Sequence, residues 1–147
     1  MQIIQMKTNE RIVLSLRMTH PTMDLSTFCE SIGLSLFRYW IAGQPRKTTD
    51  GKLLHGLYEN SYCCCRLFVS SYEDMQPAIE KCLQLLEMHK GNVQLITDSG
   101  GEVNFFIGWF FEGMSGLEFD WKILRRISDL KISLELDANG AVLASMA

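Results

Sequence analysis

The most concentrated chemistry-bearing residues in the sequence are three consecutive cysteines, Cys63, Cys64 and Cys65, with Cys29 and Cys82 elsewhere. Thiolates bind soft metals, but the usual C-x-x-C or paired-histidine spacing does not accompany these residues. In a strand, Cys63 and Cys65 face one side and Cys64 the other, so the triplet cannot converge on one ion. We therefore expect five free thiols that act as small apolar residues, with no metal site and no disulfide.

The other residue types that perform catalysis form no recognisable pattern. His20, His55 and His89 lie on separate segments, and the chain has no H-x-x-x-H, G-x-S-x-G or phosphate-binding P-loop motif. A pair between His55 and one of the cysteines would resemble a nucleophile and its base, but the sequence gives no distance for it. We therefore predict no catalytic residue and no cofactor, and an enzyme of unknown class is only the second alternative to the function predicted below.

Charge in the second half of the chain favours a protein partner. The interval between Lys90 and Lys122 contains no Lys or Arg, and its carboxylates would steer a basic partner. The candidate contact residues are Asp98, Glu102, Glu112 and Glu118. The alternative is that these carboxylates are solvated turn residues, which contribute little.

An aromatic segment at residues 105–111 supplies candidate anchors for that partner. Strand alternation places Phe105, Ile107, Trp109 and Phe111 on one face, and Phe106 and Phe110 on the other. One face must build the core, and the other must be covered by a helix, by a second subunit or by a partner. Because Trp and Phe are enriched at interface centres, Trp109 and Phe111 are added to the candidate contacts.

The elements that position these residues predict one α+β domain over residues 1–147. Apolar periodicity and turn residues predict a mainly antiparallel sheet with about three helices packed on it, in the order β-α-β-α-β-β-α-β. Residues 34–56 are rich in Gly, Pro and basic residues and predict a long exposed loop with room for a short strand. Two helices begin at aspartates, which leaves an internal duplication open. The predicted strands are Arg11–Met18, Tyr62–Ser70, Val93–Thr97, Val103–Phe111 and Lys131–Asp137, and the predicted helices begin at Asp24, near Ser70 and at Asp120. The strands Val93–Thr97 and Val103–Phe111 are expected to pair as a hairpin, Lys90-Gly91 to end the second helix and Asn139-Gly140 to form a turn. The short strand within the loop is expected at Phe37–Ile41.

Composition excludes several classes of protein. With 147 residues, 47% hydrophobic and 21% charged, the chain has an ordinary globular composition. Its formal net charge of −3 argues against nucleic-acid binding. Met1–Lys7 lacks the basic segment and long apolar core of a secretory signal. No apolar run approaches the ~20 residues that a membrane helix needs. We therefore expect a cytoplasmic protein with neither a membrane nor a nucleic acid as partner.

The pattern of apolar residues and turns resembles a bacterial family of domains of unknown function, numbered 4279. The similarity covers about Arg11 to Asp137 and includes the strand Ile12–Leu16, the helix end Ser31–Leu34 and the Asn60–Tyr62 strand entry. The family often has Pro where this chain has Leu36 and Trp where it has Tyr62. The resemblance implies a likeness to the small immunity proteins encoded beside bacterial toxins, and it supplies no catalytic residue.

These observations predict an antitoxin-type immunity protein that covers the active site of a cognate, basic toxin. The first alternative is a homodimeric structural or interaction module that uses the same aromatic strand. A toxin-sized reading frame directly upstream would favour the first role, and a concentration-dependent dimer would favour the second.

Overall fold

The computed structural model describes residues 10–67, 69 and 72–141 of the chain. Within these ranges, four helices pack on one side of a five-stranded sheet of order β2-β5-β1-β6-β7, and a two-stranded hairpin, β3-β4, stands apart. The predicted α+β class with a mainly antiparallel sheet is confirmed. None of the described helices is long and apolar enough to span a membrane. The elements are β1 Arg11–His20, α1 Ser26–Ser31, β2 Leu36–Trp40, β3 Pro45–Lys47, β4 Leu53–Leu57, β5 Ser61–Leu67, α2 Tyr72–Met88, α3 Lys90–Asp98, β6 Glu102–Glu112, α4 Trp121–Asp129 and β7 Ser133–Ala141.

The central strand β1 organises the sheet. It pairs antiparallel with β5 on one side and with β6 on the other, so that Met18 lies opposite both Cys63 and Val103. The last strand, β7, pairs parallel with β6, and helix α4 makes the crossover that a parallel pair requires. β1 thereby pairs with residues 41 to 99 positions away in sequence.

The alternation of β1 decides which face of the sheet is buried. Ile12, Leu14, Leu16 and Met18 are all at most 6% exposed and pack against the helices. The same side of the sheet holds two residues of β5, Cys63 and Cys65, and three of β6, Val103, Phe105 and Ile107. Each helix packs an apolar stripe against them. The helix residues of this core include Leu25, Cys29, Met75, Ile79, Cys82, Leu83, Leu86, Val93, Ile96, Ile123 and Ile127.

The predicted strand Val93–Thr97 is wrong, because these residues lie in α3. Val93 and Ile96 are three residues apart and both are buried, which is helical spacing, although their β-branched side chains favour a strand. Lys90 and Gly91, which were expected to end the second helix, instead begin α3 directly after His89. The predicted hairpin over residues 93–111 is therefore also wrong, and Ser99–Gly101 connect a helix to β6.

The predicted long loop at residues 34–56 contains three strands. The short strand expected near Phe37 is present as β2, and β3 pairs with β4 through Pro45 opposite Leu57 and Lys47 opposite Leu53. The turn predicted at Asn139-Gly140 is wrong because both residues lie within β7, where they pair with β6.

Of the two predicted aspartate caps, Asp120 is confirmed, and Asp24 is not the N-cap of α1, because Leu25 occupies that position. Asp120 is the N-cap of α4, and its side chain accepts a hydrogen bond from the Lys122 backbone N–H at 2.7 Å. Asp24 accepts a bond from the Ser26 N–H at 3.0 Å, but α1 begins two residues after it.

Candidate functional site

The face of the sheet opposite the helices is called the open face here, because no helix in the described ranges covers it. Side chains that alternate with the core residues project from it, and none of them belongs to the buried apolar cluster. Its members include Arg11, Val13, Ser15, Arg17 and Thr19 of β1, Arg38 and Trp40 of β2, Tyr62, Cys64 and Arg66 of β5, Glu102, Asn104, Phe106, Gly108 and Phe110 of β6, and Ser133, Glu135, Asp137 and Asn139 of β7.

Two arginines of β1 cover the two phenylalanines that β6 places on the open face. The guanidinium carbon of Arg17 lies 3.5 Å from the centroid of the Phe106 ring. That of Arg11 lies 4.5 Å from the centroid of Phe110, the residue directly opposite it in the register. These contacts are cation–π interactions that shield apolar rings from water while leaving guanidinium N–H groups available to a ligand.

The same arrangement recurs on the β5 and β2 side of the open face. Arg66 lies 3.9 Å from the ring centroid of Phe37, which sits at a register irregularity in β2. Arg38 lies 5.2 Å from the centroid of Trp40 on the same strand. Arg17, Arg38 and Arg66 lie within two residues of one another in the register and form a basic row across three strands. Arg11 extends this arginine row along β1, six residues or roughly 20 Å from Arg17.

Trp40 lies between two tyrosines. Its ring centroid is 5.1 Å from that of Tyr58 and 4.4 Å from that of Tyr62, with both pairs stacked. Burial and the neighbouring Cys64 sulfur raise the pKa of Tyr62 to about 12, so its hydroxyl remains a neutral donor at physiological pH.

A groove of about 810 Å³ lies between β2 and the β3-β4 hairpin. Its size is within the range of small-ligand or peptide sites, and its lining combines aromatic, cationic and hydroxyl side chains. Next to it, Leu53 and Leu57 of the hairpin are 66% and 58% exposed. The lining residues are Phe37, Arg38, Tyr39, Trp40, Gln44, Pro45, Lys47, Thr48, Thr49 and Tyr58.

Negative charge on the open face comes from β6 and β7. Glu102 lies at the start of β6, β7 carries Glu135 and Asp137, and Asn104 donates to Glu135 at 3.1 Å. The Nε of Arg17 is buried without a hydrogen-bond partner within the described ranges, and so is the Oδ1 of Asn104, which lies opposite it in the register.

The two predicted aromatic anchors are on the other face. Trp109 is only 7% exposed, its indole N–H donates to Glu10 at 2.8 Å, and its ring lies 4.2 Å from that of Phe111. Phe111 is half-buried against the core and lies close to Gly140. Both residues therefore pack inside the fold, which corresponds to the core alternative for this segment.

The four candidate carboxylates do not form one surface. Glu102 and Glu112 are the first and last residues of β6, so at about 3.3 Å per residue they lie roughly 30 Å apart. Asp98 is at the end of α3 and forms an exposed ion pair with Lys131 at 3.7 Å. Glu118 follows β6 in the connection to α4. The four carboxylates are therefore spread over several elements, and the basic partner stays a prediction.

The histidine with the most contacts is structural. His20 accepts hydrogen bonds at Nδ1 from the backbone N–H groups of Thr22 and Met23, so its proton is on Nε2 and is donated to Ser99 Oγ at 2.7 Å. The Ser99 hydroxyl in turn donates to the Leu95 carbonyl. Because the imidazole donates to the hydroxyl, His20 does not act as a base on Ser99. The hydrogen bond instead links the end of β1 to the residue that follows α3.

The cysteines face as predicted, but one neighbour was missed. Cys63 and Cys65 point to the core and Cys64 to the open face, while His55 is exposed on the hairpin. The triplet itself does not converge, but Cys29 of α1 brings its Sγ to those of Cys63 and Cys65, and the three lie within 4.8 Å of one another.

The sequence required cover for one of the two faces of residues 105–111 without deciding which, and the anchors it indicated were Trp109 and Phe111. The arginines that cover Phe106 and Phe110 were missed. The available signal was the alternation of Arg11, Val13, Ser15 and Arg17 against apolar residues in β1, which puts two cations on the face opposite the core. Knowledge that β1 pairs with β6 was also required.

Comparison with known proteins places the chain in a family. A family model described as a domain of unknown function (DUF4279) matches residues 9–141. No curated protein matches, and no solved structure matches. Since the match covers nearly the whole chain, this protein belongs to the DUF4279 family.

Proposed function

We propose that this chain is a cytoplasmic protein-binding module of the immunity type, which neutralises a toxin by binding it on the basic part of the open face. One observation carries the proposal: four arginines, each held against an aromatic ring, stand on a sheet face without helix cover in the described ranges. The partner surface would be acidic, in contrast to the basic partner that the sequence favours.

The residue types support a protein interface. Arg, Trp and Tyr are the types most enriched among residues that dominate binding energy. Aromatic support restricts the guanidinium groups before binding, which lowers the entropy cost of fixing them on a carboxylate. The exposed leucines of the hairpin extend the surface with apolar area.

The charge pattern favours an acidic protein over a nucleic acid. A phosphate backbone would meet the carboxylates of Glu135 and Asp137 on the same face, and the chain as a whole carries a net charge of −3. A protein partner needs complementary charge only over the area that it buries. The toxin role rests on the family resemblance and on this surface together.

The test compares two Arg→Glu variants in a co-expression assay with the product of the neighbouring toxin-sized reading frame. Arg66→Glu reverses a charge on the open face, whereas Arg125→Glu reverses an exposed charge on α4, on the helix side. We expect wild type and Arg125→Glu to restore growth and bind the toxin, and Arg66→Glu to fail. Equal protection by both variants, or no protection by the wild type, would refute the proposal.

A homodimer is the second candidate, because the open face carries opposite charges at its two edges. Arg38 and Arg66 near one edge and Glu135 near the other would be self-complementary across a two-fold axis. Sedimentation over a range of concentrations distinguishes the candidates. A dimer that Arg66→Glu dissociates and Arg125→Glu leaves intact would favour this alternative.

A further inference from the structure

Three buried sulfur atoms from two elements meet beneath the helix-covered side of the sheet. The Sγ of Cys29, in α1, lies 2.7 Å from that of Cys63, and Cys63 and Cys65 are 3.9 Å apart at their sulfurs. All three side chains are 0% exposed. A helix and a strand 34 residues apart in sequence thus supply three donors of one kind to one point.

The donor set is that of a soft cation. Thiolate ligands without nitrogen or oxygen select ions such as Cu(I), and Zn(II) requires a fourth ligand in its usual tetrahedral sites. Three sulfurs at about 2.3 Å from a central ion lie about 4 Å from one another. The Cys63–Cys65 spacing already matches this value, and all three sulfurs lie within 4.8 Å of one another. Cys29 and Cys63 would have to separate by about 1.3 Å, a movement of the kind that rotation about χ1 provides.

We propose that Cys29, Cys63 and Cys65 form a binding site for a single Cu(I) ion. Each sulfur that coordinates the ion releases its proton to solvent, and no electron is transferred because copper enters as Cu(I). The assignment goes beyond the proposed partner binding and does not depend on it, because the sulfurs lie on the opposite side of the sheet from the arginines.

Coordination displaces the thiol protons, because it is the thiolate that binds the ion. Cu(I) affinity should therefore rise with pH.

Cys64 provides a matched control within the same strand. It is buried like its neighbours, at 5% exposure, but faces the other side of the sheet, so it cannot contact an ion held by Cys63 and Cys65. Cys64→Ala and Cys63→Ala each remove one thiol from adjacent positions of β5. The pair separates coordination from the loss of a buried thiol.

The experiment titrates reduced protein with Cu(I) under anaerobic conditions in competition with a chromophoric Cu(I) chelator. We expect one Cu(I) per chain in the wild type and in Cys64→Ala, and no stoichiometric binding in Cys63→Ala. X-ray absorption of the loaded wild type should show three sulfur ligands and no nitrogen or oxygen. That spectrum keeps the test decisive if the Cys63 variant does not fold.

Several outcomes would overturn the assignment. Absence of 1:1 binding would do so, as would equal loss in the Cys64 variant, two sulfur ligands, or tighter binding of Zn(II) than of Cu(I) in parallel titrations. A disulfide between Cys29 and Cys63 that persists under reductant, detected by mass spectrometry, would also overturn it.

Discussion

Two adjacent phenylalanines, Phe105 and Phe106, provide a direct test of which face of the sheet is core. Phe105 is 0% exposed and lies among the apolar residues beneath the helices. Phe106 is half-buried on the open face under the guanidinium of Arg17. The two residues are of the same type and lie on the same strand, so truncating each to alanine compares the stability contributed by the two faces of the sheet.

The expected costs follow from these environments. Phe105→Ala removes a fully buried ring and leaves a cavity, which costs about 3–5 kcal/mol of unfolding free energy. Phe106→Ala removes a cation–π contact of about 0.5–1 kcal/mol and part of the burial of one ring, for a total of about 1–2 kcal/mol. The difference of at least about 1 kcal/mol should be readily resolved.

The assay is equilibrium unfolding in urea, followed by far-UV circular dichroism, with the midpoint and the slope fitted for each variant. An unchanged slope shows that the midpoint reports stability alone. Costs that are equal within error would refute the assignment of Phe106 to a solvent-facing surface. A larger cost for Phe106 would show instead that something buries the open face in the isolated protein.

Two further predictions concern a close backbone approach and a buried thiol. A Cβ at Gly101 would lie 2.7 Å from the carbonyl oxygens of Ile96 and Thr19, so Gly101→Ala should lower the free energy of unfolding by about 1–3 kcal/mol. Gly91 has open space around it, so the control variant Gly91→Ala should lower neither the free energy of unfolding nor the thermal midpoint. Burial raises the pKa of Cys82 from its ordinary value of 9.0 to about 12, so unfolded chains lose this proton first and the free energy of unfolding should fall as pH rises from about 9 to 12. At about 1.4 kcal/mol per pKa unit, the free energy of unfolding should fall by roughly 4 kcal/mol over this range. Urea unfolding of the reduced protein at a series of alkaline pH values measures this fall. A Cys82→Ala variant whose stability falls equally with pH would show that Cys82 is not its cause.

The sequence predicts those parts of the fold where one physical signal dominates. Alternation in β1 predicts both its strand and its buried face, and Asp120 predicts the start of α4 because an unsatisfied helix N-terminus needs an acceptor. Where two signals compete, the prediction is wrong. Val93 and Ile96 have the residue types of a strand and the spacing of a helix, and the packing of the helical stripe outweighs local propensity.

The candidate site was less predictable than the fold because it depends on strand neighbours. Arg17 meets Phe106 only because β1 pairs with β6, and Cys29 meets Cys63 only because α1 packs over β5. The sequence does not reveal which of these elements are neighbours, so the arginine row and the sulfur cluster could not be predicted from residue spacing. The need for cover over Phe106 was predictable, since a large apolar ring on a solvent-facing strand has to be shielded.

The open face also shows how binding residues can be placed at little cost to the fold. Aromatic rings exposed on a broad sheet invite aggregation, and a pure arginine surface would leave long, flexible side chains to be ordered on binding. Stacking each arginine on a ring reduces both costs, because the guanidinium shields the ring and the ring orients the guanidinium. The core alternation of β1 and β6 remains untouched, since every contributing side chain comes from the opposite pleat. Substitutions on this face should therefore change binding far more than stability, and the Arg66→Glu and Phe106→Ala variants are the most informative ones to make.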